Sequence, residues 1–159
     1  FDMKRIHGKG GFSIAELLIA LGLTSLVAAA SFMVYFAGAK AWKRAENLVE
    51  VQQNLRIAMN TLNTEIRKAD YFKIQHGNRE ITISYPNGST KGYKYHPASG
   101  EIRISESGAT VAMHIDDLKF SYRDGLIIIE ITTKAMEGVR GEKYTFSIYA
   151  RGKAEDDRL

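Results

Sequence analysis

From Leu17 to Ala39 the chain passes through twenty-three positions without a charged residue, and a single carboxylate, Glu16, stands directly before that run. As a helix rising about 1.5 Å per residue the run extends ~35 Å, enough to cross a bilayer. A charge at the margin of hydrocarbon is costly unless a partner answers it, which marks Glu16 as a candidate functional group. A short basic leader with Lys4, Arg5 and Lys9 precedes it. The combination predicts a membrane-anchored chain.

The leader differs from a secretory signal. There the apolar stretch is discarded together with the leader after a small-residue cleavage site; here Gly10-Gly11-Phe12-Ser13-Ile14-Ala15-Glu16 lies ahead of the apolar stretch. Gly11, Phe12 and Glu16 at these offsets resemble the processing motif of type IV pilins and pseudopilins. The resemblance implies that a prepilin peptidase cuts between Gly11 and Phe12, that Phe12 becomes the N-methylated first residue, and that Glu16 becomes the fifth. In that family the carboxylate at this place neutralises the terminal amine of a neighbouring subunit during assembly, so Glu16 and Phe12 are the expected assembly residues. Physics agrees, since two charges in an apolar bundle are tolerable as a pair and cost several kcal/mol when one is left alone. The other reading of the same residues is an ordinary signal-anchor helix with an incidental glutamate.

Composition bounds the remainder. One hundred and fifty-nine residues suit one modest domain plus an anchor. The formal charge of +4 falls to +2 without the leader, too little to argue for a polyanion partner. With no cysteine there is neither a disulfide framework nor a thiol nucleophile, and the domain must hold by packing. Phe1 and Asp2 precede Met3, where a natural start is expected.

Orientation is not decided by charge. Lys4, Arg5 and Lys9 flank one end of the span and Lys40, Lys43 and Arg44 the other. The family resemblance breaks the tie, implying a single pass through the cytoplasmic membrane with the leader inside and the C-terminal part outside. Trp42 reads either as an interfacial anchor beside Lys40, Lys43 and Arg44, or as core packing under the folded domain.

Beyond Ala39 the pattern becomes amphipathic. Leu48, Val51, Leu55, Ala58, Met59, Leu62, Ile66 and Ala69 recur at steps of three and four with Glu50, Gln53, Asn54, Asn60 and Lys68 between them. One helix is predicted from about Ser13 to Ala69, without proline and with Gly22 and Gly38 as soft points. Many major pilins carry a proline in the membrane half, and its absence favours a minor, initiating or capping subunit.

From Tyr71 the period drops to two. Glu80–Tyr85 and Gly92–Tyr95 flank the turn Pro86-Asn87-Gly88-Ser89, followed by alternating segments at 101–104 and 110–113. Leu118–Tyr122 pairs with Leu126–Ile131 across Arg123-Asp124-Gly125, and 144–149 is the last strand. An antiparallel meander of six to eight strands completes its core with the apolar face of the helix. The expected fold is α+β and pilin-like. Its parts are a leader at 1–11, a membrane and filament-core helix at 12–39, an amphipathic continuation at 40–70, a β-sheet domain at 71–151 and a loose polar tail at 152–159.

Leu62–Ala69, the hairpin around Ile81, Leu118–Tyr122 and 146–151 resemble landmarks of minor pseudopilins of the J type and of PilW-like minor pilins, a pattern shared by competence pseudopilins of Gram-positive bacteria. Gly152 stands where asparagine often follows the arginine equivalent to Arg151. The partners this implies are other pilin or pseudopilin subunits, the prepilin peptidase, a membrane assembly platform and the lipid bilayer, in a pilus, type II secretion or competence filament.

Features that hint at chemistry are weak. His114 near Asp116 and Asp117 lacks a second histidine at ligand spacing, with His7, His76 and His96 scattered, and reads as a turn. Tyr93-Lys94-Tyr95-His96 has the stacking and charge of a single-strand nucleic-acid contact, yet alternating tyrosines more often form one face of a sheet. Gly8-Lys9-Gly10-Gly11 lacks the strand and spacing of a phosphate loop. Glu65 and Arg67 are two apart on a helix and cannot face each other, suggesting a solvated helix end. No nucleophile–base pair emerges, so structural rather than catalytic work is expected, with no cofactor and no metal. The alternatives are a DNA-uptake module, which would cluster Lys91, Lys94, Arg103 and Lys119 on one face, and a membrane-anchored enzyme, which would need a pocket with convergent polar groups.

Overall fold

A computed structural model describes residues 13–154. A single helix, α1 (Ile14–Lys68), is followed by nine strands: β1 (Tyr71–Gln75), β2 (Glu80–Ser84), β3 (Thr90–His96), β4 (Glu101–Ile104), β5 (Thr110–Ala112), β6 (Ile115–Arg123), β7 (Leu126–Thr133), β8 (Lys143–Tyr149) and β9 (Lys153–Ala154). The class is α+β. The chain divides after Trp42 into two units, each with its own character.

In the first unit α1 is apolar on every side and exposed throughout. It continues through Gly22 and Gly38, neither of which interrupts the helix. In the second unit the same helix turns Asn47, Val51, Leu55, Ala58, Leu62 and Ile66 inward at steps of three and four, giving the stripe that a packed helix needs. Leu48, expected in that stripe, is 43% exposed, and Asn47 takes the inward place. Arg67 and Lys68 in the last turn suit the negative end of the helix dipole.

The strands form two sheets rather than one meander. The larger has the order β5-β4-β3-β2-β1-β9 and the smaller the order β6-β7-β8. The chain changes sheet at Met113 and His114. The Met113 N–H donates to Asn54 Oδ1 of α1 at 2.9 Å, His114 takes a left-handed φ of 60°, and its carbonyl accepts from Lys134 N at 2.8 Å. The chain turns at His114 as expected, but the expected meander does not continue through it.

The β6–β7 connection is tighter than the three-residue one expected. Arg123 pairs with Leu126, leaving Asp124 and Gly125 alone with φ values of 52° and 80°, the geometry of a two-residue hairpin turn with positive φ at both positions. The stretch expected to be a loose tail from Gly152 begins instead with β9, which runs parallel to β1 in the register Tyr71↔Lys153 and Phe72↔Ala154. Gly152 permits this approach, because a Cβ there would fall 2.7 Å from the Asp70 carbonyl oxygen. Residues 155–159 of that tail lie outside the described residues.

Inward faces of both sheets meet the helix stripe. Ile81, Ile83, Tyr93 and Ile102 from the larger sheet and Leu118, Phe120, Ile127, Ile129 and Ile131 from the smaller form one core with Leu62 and Ile66. Cross-strand partners share a face, so Tyr144, Phe146 and Ile148 of β8 lie inward beside Ile131, Ile129 and Ile127. Among the described residues three polar or charged side chains are buried, Asn47, Glu80 and Thr133. Glu80 Oε1 accepts from the Ser105 hydroxyl at 2.9 Å, while its Oε2, without a hydrogen-bond partner, lies 2.7 Å from His76 Nδ1 and 3.7 Å from the Lys94 ammonium.

Candidate functional site

Gly11 and Phe12, the expected processing residues, lie outside the described residues. The site can be built from Ser13 onward. Ser13 precedes the first turn of α1, its Oγ accepts from the Ala15 N–H at 3.2 Å, and its own N–H donates to Glu16 Oε2 at 3.0 Å. Serine followed three residues later by glutamate is the capping-box pattern, in which the acid reaches back to the residue that opens the helix. The sequence carries that signal as Ser13-x-x-Glu16. Glu16 also stands in the first helical turn, where a negative charge meets the positive end of the helix dipole.

Beyond Glu16 the helix carries mean hydropathy 2.3 over eighteen residues, none of them buried. By length and composition it is able to cross a membrane. Its three aliphatic hydroxyls are satisfied internally: Thr24 donates to the Ala20 carbonyl at 2.7 Å, Ser25 to that of Gly22 at 2.8 Å and Ser31 to that of Val27 at 2.8 Å. Serine and threonine side chains that bond their own helix backbone present no unpaired hydroxyl of their own to hydrocarbon.

The run ends in an aromatic and basic group. Trp42 is 77% exposed. Lys40 is exposed, and Lys43 pairs with Glu46 at 2.9 Å, a hydrogen bond that holds its ammonium above its ordinary pKa. Arg44 has no ion partner among the described residues and lies across Gly138, where a Cβ would stand 2.9 Å from its Cγ.

The basic residues named for nucleic acid do not make a free patch. Lys94 and Arg103 are cross-strand neighbours, but Lys94 faces Glu80 and Arg103 binds Glu101 at 2.5 Å. Lys119, in the other sheet, pairs with Asp117 at 3.2 Å. Lys91 stands 5.7 Å from the centre of the Tyr93 ring. Tyr93 and Tyr95 are both buried, on the inward face, so the alternating tyrosines are a sheet face.

The helix end is not merely solvated. Glu65 accepts from Lys68 at 3.2 Å and from the Tyr85 hydroxyl. Burial pushes the Glu65 carboxyl up, and these two hydrogen bonds more than offset it, so the group titrates below its ordinary value. Burial, and then the bond to Glu65, push the Tyr85 phenol well up. His114 reaches Glu50 of α1 at 2.9 Å, and no group of three or more candidate metal ligands gathers among the described residues.

No family model, no curated protein and no solved structure matches the chain.

Proposed function

We propose that the chain is a minor pilin or pseudopilin, a structural subunit of a type IV pilus, type II secretion or competence filament. The observation that carries this reading is the exposure of every residue from Ile14 to Trp42 on an apolar helix that opens with a capped glutamate. Exposed apolar surface on this scale asks for lipid or for sister helices. A subunit that begins in the membrane and ends in a bundle meets both in turn. The prepilin peptidase would cut after Gly11 in the cytoplasmic membrane, Phe12 would be methylated, and an assembly platform would draw the helix out among its neighbours. Glu16 would then pair with the Phe12 amine of another subunit and set the register. The second unit would remain outside and carry subunit contacts. Its work is assembly rather than catalysis.

Mass spectrometry of the protein from cells that contain the peptidase tests this directly. A species beginning at methylated Phe12 is expected. A chain that keeps Lys9 in that background contradicts the reading.

A further inference from the structure

We propose that the groove between α1 and the loop joining β7 to β8 receives the zwitterionic headgroup of an aminophospholipid, phosphatidylethanolamine in its simplest form. The contact rests on the membrane stage of the function proposed above. The groove encloses about 750 Å³, and Leu48, Val51, Met136 and Val139 give it apolar surface. A cavity of that size with a few polar groups is what a small ligand needs. Its walls are pinned. Asn47, buried in α1, donates to the Glu137 carbonyl at 2.9 Å, Met136 and Val139 exchange backbone hydrogen bonds at 3.0 and 2.9 Å, and the Glu142 N–H donates to Thr133 Oγ1 at 3.0 Å. A site already held in shape loses little freedom on binding.

The lining carries both signs of charge. Arg44 and Arg140 both reach the groove, and neither has a carboxylate partner among the described residues. The Glu142 carboxylate lines it too: Oε2 accepts from the Tyr144 hydroxyl at 2.8 Å, and Oε1 has no partner among the described residues. A simple anion would satisfy the two guanidiniums and be repelled by the carboxylate, and a simple cation would meet the reverse. An aminophospholipid answers both. Its phosphate accepts the paired N–H donors that guanidinium groups present. Its primary ammonium, a few bonds away, brings N–H donors to a carboxylate.

Position makes the bilayer the source of that headgroup. Arg44 stands five residues beyond Ala39, the last residue of the uncharged apolar run, in the one helix from Ile14 to Lys68. Five residues of helix rise ~7.5 Å. A headgroup layer adds about 5–7.5 Å to each side of a hydrocarbon core ~30 Å thick. A chain inserted as far as Ala39 therefore holds Arg44 at headgroup depth. Lys40 and Trp42, both exposed, lie between and are residues of the same interfacial zone. A headgroup held in the groove fixes the depth of the chain in the membrane until the chain is drawn out.

Native mass spectrometry tests the docking on the full chain, solubilised in detergent from cell membranes. The chain is titrated with phosphatidylethanolamine, phosphatidylcholine or phosphatidylglycerol of matched acyl chains. One bound phosphatidylethanolamine should persist at about tenfold lower concentration than either other lipid, because phosphatidylcholine offers Glu142 no N–H and phosphatidylglycerol no cation. Arg44→Gln with Arg140→Gln should weaken that binding at least about tenfold. Glu142→Gln should reduce the preference over phosphatidylglycerol to about parity, a selective change that loss of the groove's shape does not produce. Equal binding of the three lipids by the parent, or tighter binding of phosphatidylglycerol, overturns the docking and leaves the filament reading standing. So does unaltered binding by the arginine pair variant, or an unaltered preference in Glu142→Gln, where circular dichroism matches the parent. A parent chain recovered from the soluble fraction rather than from membranes overturns both.

Discussion

Asn47 and Glu137 lie ninety positions apart in sequence and are joined by one hydrogen bond, from the Asn47 side-chain amide to the Glu137 carbonyl at 2.9 Å. Asn47 is only 3% exposed, so its amide has little access to water as a substitute. Asn47→Ala leaves the Glu137 carbonyl without this donor and opens the start of the inward stripe. It is expected to cost about 1–3 kcal/mol. Chemical denaturation of the detergent-solubilised chain, followed by circular dichroism, measures it, and an unchanged midpoint would mean that the bond adds nothing.

Tyr85 and Glu65 predict a pH dependence. The Glu65 carboxyl titrates below its ordinary value in the folded chain, so its contribution is present above the ordinary glutamate pKa of 4.5 and is lost as pH falls through the lower folded value. Tyr85→Phe removes one of the two hydrogen bonds that hold the carboxyl down. At neutral pH it should cost about 1.5–3 kcal/mol. Acid unfolding should move to higher pH, and carbon NMR of the Glu65 carboxyl should show its pKa rising.

Gly100 closes the turn between β3 and β4 with φ of 67°, and a Cβ there would stand 2.9 Å from the Ile115 carbonyl oxygen. Both the left-handed backbone and the close approach exclude a side chain. Gly100→Ala should therefore destabilise by more than ~1 kcal/mol. Thermal unfolding beside the equivalent change at Gly108, which has φ of 69° but open space around it, separates strain from crowding.

The sequence was most legible where periodicity is local. The helix from about Ser13 to Ala69 was read within one residue at each end, because the three-and-four pattern and the absence of proline act over neighbouring turns. The strands at 80–84 and 101–104 follow from alternation and turn residues, and Leu126–Ile131, the larger part of the strand that runs to Thr133, from its pairing across the preceding turn. What was lost is non-local. β9 consists of two residues made a strand only by β1 beside it, and nothing in Lys153-Ala154 announces a parallel partner eighty-two positions earlier. The change of sheet at Met113 and His114 depends on Asn54 and Glu50 of a distant helix. The Tyr85–Glu65 bond is non-local in the same way, joining the β2–β3 hairpin to a helix residue twenty positions earlier. The cap at Ser13 and Glu16 is local and legible as Ser-x-x-Glu, although the apolar run beside it is the stronger signal.

Glu16 carries two roles in this account, a cap on its own helix and a charge offered to a neighbour. Glu16→Gln separates them. The amide oxygen can still accept from Ser13, 3.0 Å from the carboxylate oxygen it replaces, while the negative charge is gone. Leaving a partner's amine unpaired in an apolar bundle costs several kcal/mol. The decisive measurement is the amount of chain in sheared filaments, relative to the amount in the membrane, for the parent and Glu16→Gln. The account predicts equal membrane levels with filament recovery down by at least about tenfold, given a cost of that size. Equal recovery in filaments would contradict it and leave Glu16 as a helix cap alone.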